Sequence, residues 1–284
     1  MYGLRNYCTM TDMNYLDCTQ ALQASLLKHC RPCHLWILAL CPDSLAHLKR
    51  LDLPHTTIIP LSAVETECLT QTRDRQHQEF IWTVKPSWIL WLLQNIPNVY
   101  SLIYLDSDVY FFDWPMGIFA EVGNADVAIT PHRFMPDIHD WGIGNGIFNA
   151  GFVYIRQTPT GIACIREWAN QCIDWCSLDR QDDGRFVDQG YLNAWPQVWG
   201  AHIIQHKGVN LAPWNQDQYQ YSISGGRMYV DNVPIICYHF HKKLHIGFHT
   251  HGFVKQNLYT EYQIALEEAY ERISYDHYNW YNKD

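Results

Sequence analysis

Residues 101–115 read SLIYLDSDVYFFDWP. A mostly apolar run ends on two aspartates one residue apart, Asp106 and Asp108, and apolar and aromatic residues resume at once. In an extended chain, residues i and i+2 point to the same side. The two carboxylates can therefore converge while Ser107 points away. Such close carboxylates repel each other unless a positive charge lies between them. A divalent cation supplies that charge, and hard carboxylate oxygens suit Mn²⁺ or Mg²⁺, ions that commonly bridge to a substrate phosphate. The competing reading is a solvated surface turn, but the flanks SLIYL and VYFF are too apolar for one.

Three chemistries use an acidic pair behind an apolar strand. A phosphatase of the haloacid-dehalogenase type carries a small hydroxyl or branched residue two places after the second Asp, where this chain has Tyr110. A P-loop NTPase requires G-x-x-x-x-G-K-[ST], which is not in the sequence. A sugar-nucleotide transferase uses the metal to hold a donor diphosphate.

Later stretches fit the third chemistry. IFNAGFVYIR (147–156) places Asn149-Ala150-Gly151 just before a strand. A small-residue turn lets backbone approach a ligand closely, and the Asn149 amide can bond a sugar hydroxyl. RFVDQGYLNAWP (185–196) places Asp188 and Gln189 at the start of a helical stretch. An acid and an amide side by side can hold sugar hydroxyls and face an anomeric carbon. An acid favoured there by the helix dipole is the alternative. HKGVNLAPWN (206–215) reads as an ordered loop near a pocket. IICYHFHKKLHIGFHTHG (235–252) ends a strand with His239, His241, Lys242 and Lys243. His239 and His241 share a face by strand spacing. A neutral imidazole there can complete a metal shell, and a lysine can neutralise a diphosphate leaving group. No H-E-x-x-H or cysteine pairing accompanies these histidines, which argues against a histidine-only zinc site.

These residues need a scaffold. Strand and helix signals alternate through the first hundred residues, the pattern of a mainly parallel α/β sheet with helical crossovers. RNYCT (5–9), HLWILALC (34–41), TTIIP (56–60) and SLIYL (101–105) read as strands. A helix follows the first strand, with Tyr15, Cys18, Leu22 and Leu26 at helical spacing behind an Asn14 cap. PDSLAHLKRL (42–51) opens on proline and reads as a helix. Residues 77–95 form another. DVAIT (126–130), GFVYIR (151–156) and VPIICYHF (233–240) read as later strands. Helices follow around Ile162–Cys176 and Tyr262–Ile273. The expected organisation is a single domain over 1–284, with a nucleotide-binding half at 1–108 and a loop-rich donor-sugar and acceptor half at 109–284.

Composition narrows the classes. A formal net charge of −9 leaves no basic footprint for a nucleic-acid backbone. The chain has ten cysteines, and its opening, MYGLRNYCTMTD, lacks a basic segment ahead of an apolar one. The expectation is free thiols in a reducing, cytoplasmic setting. Cys30 and Cys33 form a C-x-x-C far in sequence from Cys172 and Cys176, and all four read as structural thiols. No apolar run reaches the ~20 residues that span a bilayer.

Taken together, YCTMTDMNYL (7–16), LIYLDSDVYFF (102–112), FNAGFVYIR (148–156), VDQGYLNAWP (187–196), HKGVNLAPWN (206–215) and YHFHKK (238–243) resemble the metal-dependent glycosyltransferases of the GT-A fold. Within them, the likeness is to glycosyltransferase family 8 and related bacterial nucleotide-diphospho-sugar transferases. The pieces occur in the family's order. The resemblance implies that Cys8, Thr9 and Asp12 lie around a uridine. It implies that Asp106 touches the ribose and the metal, and that Asp108 and His239 ligate the metal, Mn²⁺ or Mg²⁺. It places Asn149, Asp188 and Gln189 around the donor sugar, with Lys242 or Lys243 on the diphosphate. Lys85 is a further candidate for the donor sugar or phosphates. The family's usual His-x-x-Gly-x-x-Lys-Pro-Trp ending is replaced here by YHFHKKLHIG, which keeps the His and a basic residue in another spacing.

The function expected is transfer of a hexose from a UDP-type sugar nucleotide to an acceptor hydroxyl, with retention of configuration. If the reaction inverts, Asp188 is the first candidate base. The acceptor would be a glycan, a lipid-linked species or a protein, with peripheral contact at the inner membrane face one option. The competing classes are a non-catalytic sugar-nucleotide or glycan binder, suited by the many aromatic residues, and a metal-dependent phosphohydrolase.

Overall fold

A computed structural model describes residues 4–139, 144–241 and 252–281, with 274–281 by backbone alone. Four strands, β1 (Arg5–Thr11), β2 (Cys33–Ala39), β3 (Thr56–Pro60) and β4 (Ser101–Leu105), run parallel in the order β3-β2-β1-β4. β2 and β4, in the interior of the sheet, are mostly buried and apolar, whereas β3 at its edge is half-buried throughout. In β4, Leu102 and Tyr104 face one core cluster while Ile103 and Leu105 face the other.

After β4 the chain makes a short strand, β5 (Val109–Phe111), outside the central sheet. β6 (Val127–Pro131), β7 (Phe148–Arg156) and β8 (His202–Ile203) then extend the sheet to seven strands, ordered β3-β2-β1-β4-β7-β6-β8. β7 is antiparallel to β4 and β6, and β8 is parallel to β6, so β7 alone opposes the common direction in this sheet. β9 (Tyr221–Ser224), β10 (Arg227–Val230) and β11 (Val233–Pro234) form a small antiparallel sheet. β12 (Cys237–His239) pairs with β5, setting His239 opposite Val109.

Helices cover both faces. α1 (Leu16–His29) and α2 (Pro42–Leu51) follow β1 and β2. A one-turn α3 (Glu67–Thr70) precedes α4 (His77–Asn95), and α5 (Met116–Val122) follows β5. α6 (Pro159–Asp174) packs beside α4, a one-turn α7 (Trp195–Val198) comes next, and α8 (Thr260–Tyr281) lies against α1. Val84, Trp88 and Leu92 of α4 meet Cys164, Ile165 and Trp168 of α6 over one face of the sheet. Leu16, Leu22 and Leu26 of α1 meet Tyr7, Ile37 and Ile103 on the other. Each such side chain, fully buried, contributes roughly 1.5–3 kcal/mol. A third cluster joins Tyr110, Tyr238 and Phe240 to Tyr262 of α8.

Two local expectations change. Asn14 does not cap α1. The cap is Asp12, whose side chain accepts the Asn14 N–H and opens a 3₁₀ turn, Met13–Tyr15, ahead of the helix. Residues 233–240 are not one strand. Pro234 has no N–H to carry a ladder onward, and the chain changes partners there. Ile235 N–H donates to Met228, but the N–H groups of Ile236 and Cys237 donate to Gly208 O.

The parallel strands place a crevice. The chain leaves β1 towards β2 on one side, while β4 lies on its other side. This is the topological switch point where open α/β sheets bind ligands beyond the carboxyl ends of their strands. Asp12 follows β1 there, and Asp106 follows β4.

Candidate active site

Asp106 and Asp108 flank a turn. Asp106 N–H donates to Gly151 O at 2.9 Å, and Val109 N–H returns to Asp106 O at 3.1 Å. β4 has already ended at Leu105, so the pair lies in the turn beyond the strand, and β12 brings His239 to both carboxylates. His239 Nε2 lies 3.1 Å from Asp108 Oδ1 and 3.8 Å from Asp106 Oδ2. Backbone bonds fix this approach: His239 N–H donates to Leu211 O at 2.7 Å and Phe240 N–H to Asp108 O at 2.9 Å. Burial pulls the His239 imidazole pKa down, but Asp108, and then Asp106, outweigh burial and raise it.

Lys85, from the middle of α4, passes beneath the pair. Its ammonium lies 2.7 Å from Asp188 Oδ2 and 3.3 Å from Asp106 Oδ1, and its side chain is 3% exposed. Burial alone would lower its pKa, yet Asp106 and Asp188 raise it, so the group is charged. Burial pushes the Asp188 carboxyl upward, with Lys85 pulling back. Tyr104 OH donates to the same Asp106 Oδ1 at 2.9 Å. That oxygen is thus tied down, and Oδ2 is the one turned to His239.

Asn149 and Gly151 lie inside β7 rather than in a turn before it. Asn149 Oδ1 accepts the Gly151 N–H at 3.0 Å. Its Nδ2 lies 3.1 Å from His132 Nε2. Burial pushes His132 down to about 3, so the ring is neutral and Nε2 accepts from the amide. Gly151 is required by crowding. A Cβ there would stand 2.6 Å from His239 Cε1, 2.7 Å from Asp106 Oδ2 and 2.8 Å from Asn149 Oδ1, closer than real Cβ contacts come.

That cradle and its donors fit a divalent cation. His239 Nε2 has a carboxylate oxygen of each aspartate near it, Asp108 Oδ1 at 3.1 Å and Asp106 Oδ2 at 3.8 Å, and Gly151 keeps clear the space beside Asp106 Oδ2 and His239. Among the described residues, one group of metal-ligating types has its donor atoms all within 4.8 Å of one another: Asp108, His239 and His241. His239 Nδ1 is buried without a hydrogen-bond partner, leaving the ring's polar attachment on the Nε2 side.

Asp12 Oδ2 lies 2.9 Å from His77 Nε2 and 2.9 Å from Asn14 Nδ2. Burial raises its pKa, but the bonds from His77 and Asn14 outweigh burial and lower it. Cys8 and Thr9 are fully buried in β1, with the Cys8 thiol among the residues of the α4 core. Gln189 donates its amide to Asn145 O at 2.6 Å. Lys242 and Lys243 lie outside the described residues. Sequence reasoning assigned no part to Tyr15, His132 or Trp214. Tyr15 lies in the field of Asp108, Asp106 and Asp12, which, after burial, raises its phenol. Trp214 Nε1 donates to His132 O at 3.0 Å, and its ring meets His132, His239 and His241 edge-on. The one available signal for this role was a Trp in a glycine- and proline-punctuated loop.

The seven-stranded sheet with helices on both faces has the GT-A fold. Residues 34–203 match the family model described as nucleotide-diphospho-sugar transferase, and the chain belongs to that family. It is 30% identical over 240 residues to YfnD of Bacillus subtilis (strain 168), covering 83% of this chain and 76% of the relative. It is 28% identical over 243 residues to YfnF of the same organism, covering 82% and 80%. Among solved structures, it is similar in fold to the galactosyltransferase LgtC in complex with donor and acceptor sugar analogues, with a TM-score of 0.57 and 14% identity, covering 93% of this chain and 95% of that one. It is likewise similar to the glycosyltransferase GlyE of Streptococcus pneumoniae TIGR4, with a TM-score of 0.56 and 12% identity over 94% of this chain, which spans 63% of that protein.

Proposed function

We propose that this glycosyltransferase moves a hexose from a UDP-sugar to an acceptor hydroxyl, depends on Mn²⁺ or Mg²⁺, and retains anomeric configuration. The observation that carries the reading is the approach of Asp108 Oδ1 and Asp106 Oδ2 to His239 Nε2 beside the glycine at 151. Asp108 and His239, with Asp106, would hold the cation. When bound, it stabilises charge on the departing diphosphate as a Lewis acid.

The remaining work belongs to the chain. Lys85 holds Asp106 and Asp188 at fixed separation, so the donor meets a preorganised floor. Asp12, pinned by Asn14 and His77, stands beside the crevice suited to the uridine. Asn149, oriented by His132, and Gln189, oriented by Asn145, are placed for the donor sugar. Lys242 and Lys243 remain the proposed partners of the diphosphate. Asp188 is 3% exposed and paired to Lys85 at 2.7 Å. A carboxylate so enclosed is poorly placed to take a proton from an acceptor, which supports retention over inversion with Asp188 as base.

The acceptor is proposed as a glycan, lipid-linked or protein hydroxyl. Among the described residues, no helix is long and apolar enough to cross a membrane. Ten free thiols, most of them buried, support a reducing, cytoplasmic setting. The test is UDP and GDP release from a set of sugar nucleotides with Mn²⁺. UDP release that vanishes with excess EDTA and in Asp108→Ala is expected. Undiminished release in both contradicts the metal role, and ligand binding without any release favours a binding protein.

A further inference from the structure

Two residues beyond the metal-ligating His239 stands a second imidazole. His241 is half-buried, and one of its ring nitrogens lies within 4.8 Å of a carboxylate oxygen of Asp108 and a ring nitrogen of His239. Asp106 is the more distracted carboxylate, with one oxygen engaged by Tyr104 and Lys85. We infer that His241 is a protein ligand of the same cation, alongside Asp108 and His239, and that it gives the site two imidazole nitrogens. This rests on the metal-dependent reading above and goes beyond the ligand set expected from the sequence.

Three observations support it besides proximity. Phe240 N–H is held by Asp108 O at 2.9 Å, while the Phe240 ring stacks on Tyr262 at 3.8 Å between centroids. Residue 240 is thus pulled into the core beneath α8, and the residues on either side of it turn to the acidic pair. His241 has φ +52°, a left-handed conformation that costs a non-glycine residue about 1–3 kcal/mol unless its surroundings favour it. Trp214 touches both rings edge-on, with centroids 5.4 Å from His239 and 5.3 Å from His241, and is itself tied through Nε1 to His132 O. Two imidazoles braced by one indole are held ready to share an ion.

The donor set has a chemical consequence. Imidazole nitrogen favours later first-row cations, whereas Mg²⁺ prefers oxygen. A second histidine therefore tilts the site towards Co²⁺ and away from Mg²⁺.

The test compares the full chain with His241→Asn and Asp108→Ala, using Mn²⁺, Co²⁺ and Mg²⁺ alone and with UDP. Asparagine tolerates the left-handed conformation, and thermal unfolding checks that each variant folds. Electron spin-echo spectroscopy of bound Mn²⁺ should show two coupled imidazole nitrogens in the wild type and one in His241→Asn. Co²⁺ affinity should fall roughly tenfold or more in His241→Asn, since even outer-shell partners of a metal ligand are worth that much. Mg²⁺ affinity should change little. One coupled nitrogen in the wild type, with Co²⁺ affinity unchanged in His241→Asn but lost in Asp108→Ala, overturns the role of His241 and leaves the metal site standing. Absence of cation binding by the wild type, even with UDP, overturns both.

Discussion

Lys85 sits between two carboxylates with almost no contact with water, and its value is in what would happen without it. Removing one partner of a buried ion pair leaves an uncompensated charge and costs about 3–5 kcal/mol. Lys85→Met should therefore lose about that much stability. The double variant Lys85→Met/Asp188→Asn should recover part of the loss, because the enclosed charge is gone. Urea unfolding of the wild type, both single variants and the double variant measures this coupling. Additive losses would show that the 2.7 Å pair does not act as a unit. At this scale the Asp106–Asp108 doublet was legible from residue type and spacing, and His239 from the resemblance. The contacts of His132, Trp214 and His241 were not. Their roles come from contacts such as His132 with Asn149 and Trp214 with His239, between segments far apart in the chain.

Among the elements, α4 carries Lys85 at its centre and is anchored at its start by Glu79. Glu79 Oε1 accepts the Ser177 hydroxyl at 2.7 Å and the Leu178 N–H at 2.9 Å, tying the helix to the loop after α6. Burial raises the Glu79 pKa, but the Leu178 and Ser177 bonds prevail and hold it below its ordinary 4.5. A depressed folded-state pKa gives stability that is present above the unfolded value and lost as pH falls through the folded one. Glu79→Gln should thus be less stable than the wild type at neutral pH, with the gap closing below pH 4.5. Urea titrations at neutral and acid pH check it, and a gap that persists in acid contradicts it. α2, β3, α4 and β4 begin and end where the sequence predicts, since their caps and periodicity are local. β5, β8 and the β9–β10 hairpin escape prediction because they are short strands defined by distant partners, as β5 is by β12. The turn at Asp106–Asp108 shows the same limit: alternation predicts both acids on one face of a strand, whereas the chain has left β4 there and His239 of β12 is what meets each carboxylate.

For the whole molecule, the parallel strands set a crevice between β1 and β4, and the later half of the chain supplies much of what closes on it. Asn149 comes from β7, Asp188 from the segment after α6, and His239 from β12. β6, β7 and β8 extend the sheet of β1–β4, while β12 reaches the acidic pair by pairing with β5 in a separate two-stranded sheet. The most direct test is a crystal of the full chain soaked with Mn²⁺ and UDP, with anomalous diffraction recorded at the manganese edge. The prediction is one anomalous peak within bonding distance of Asp108 and His239, with the diphosphate on its open side. UDP bound in the crevice with no peak at those two side chains would contradict the account.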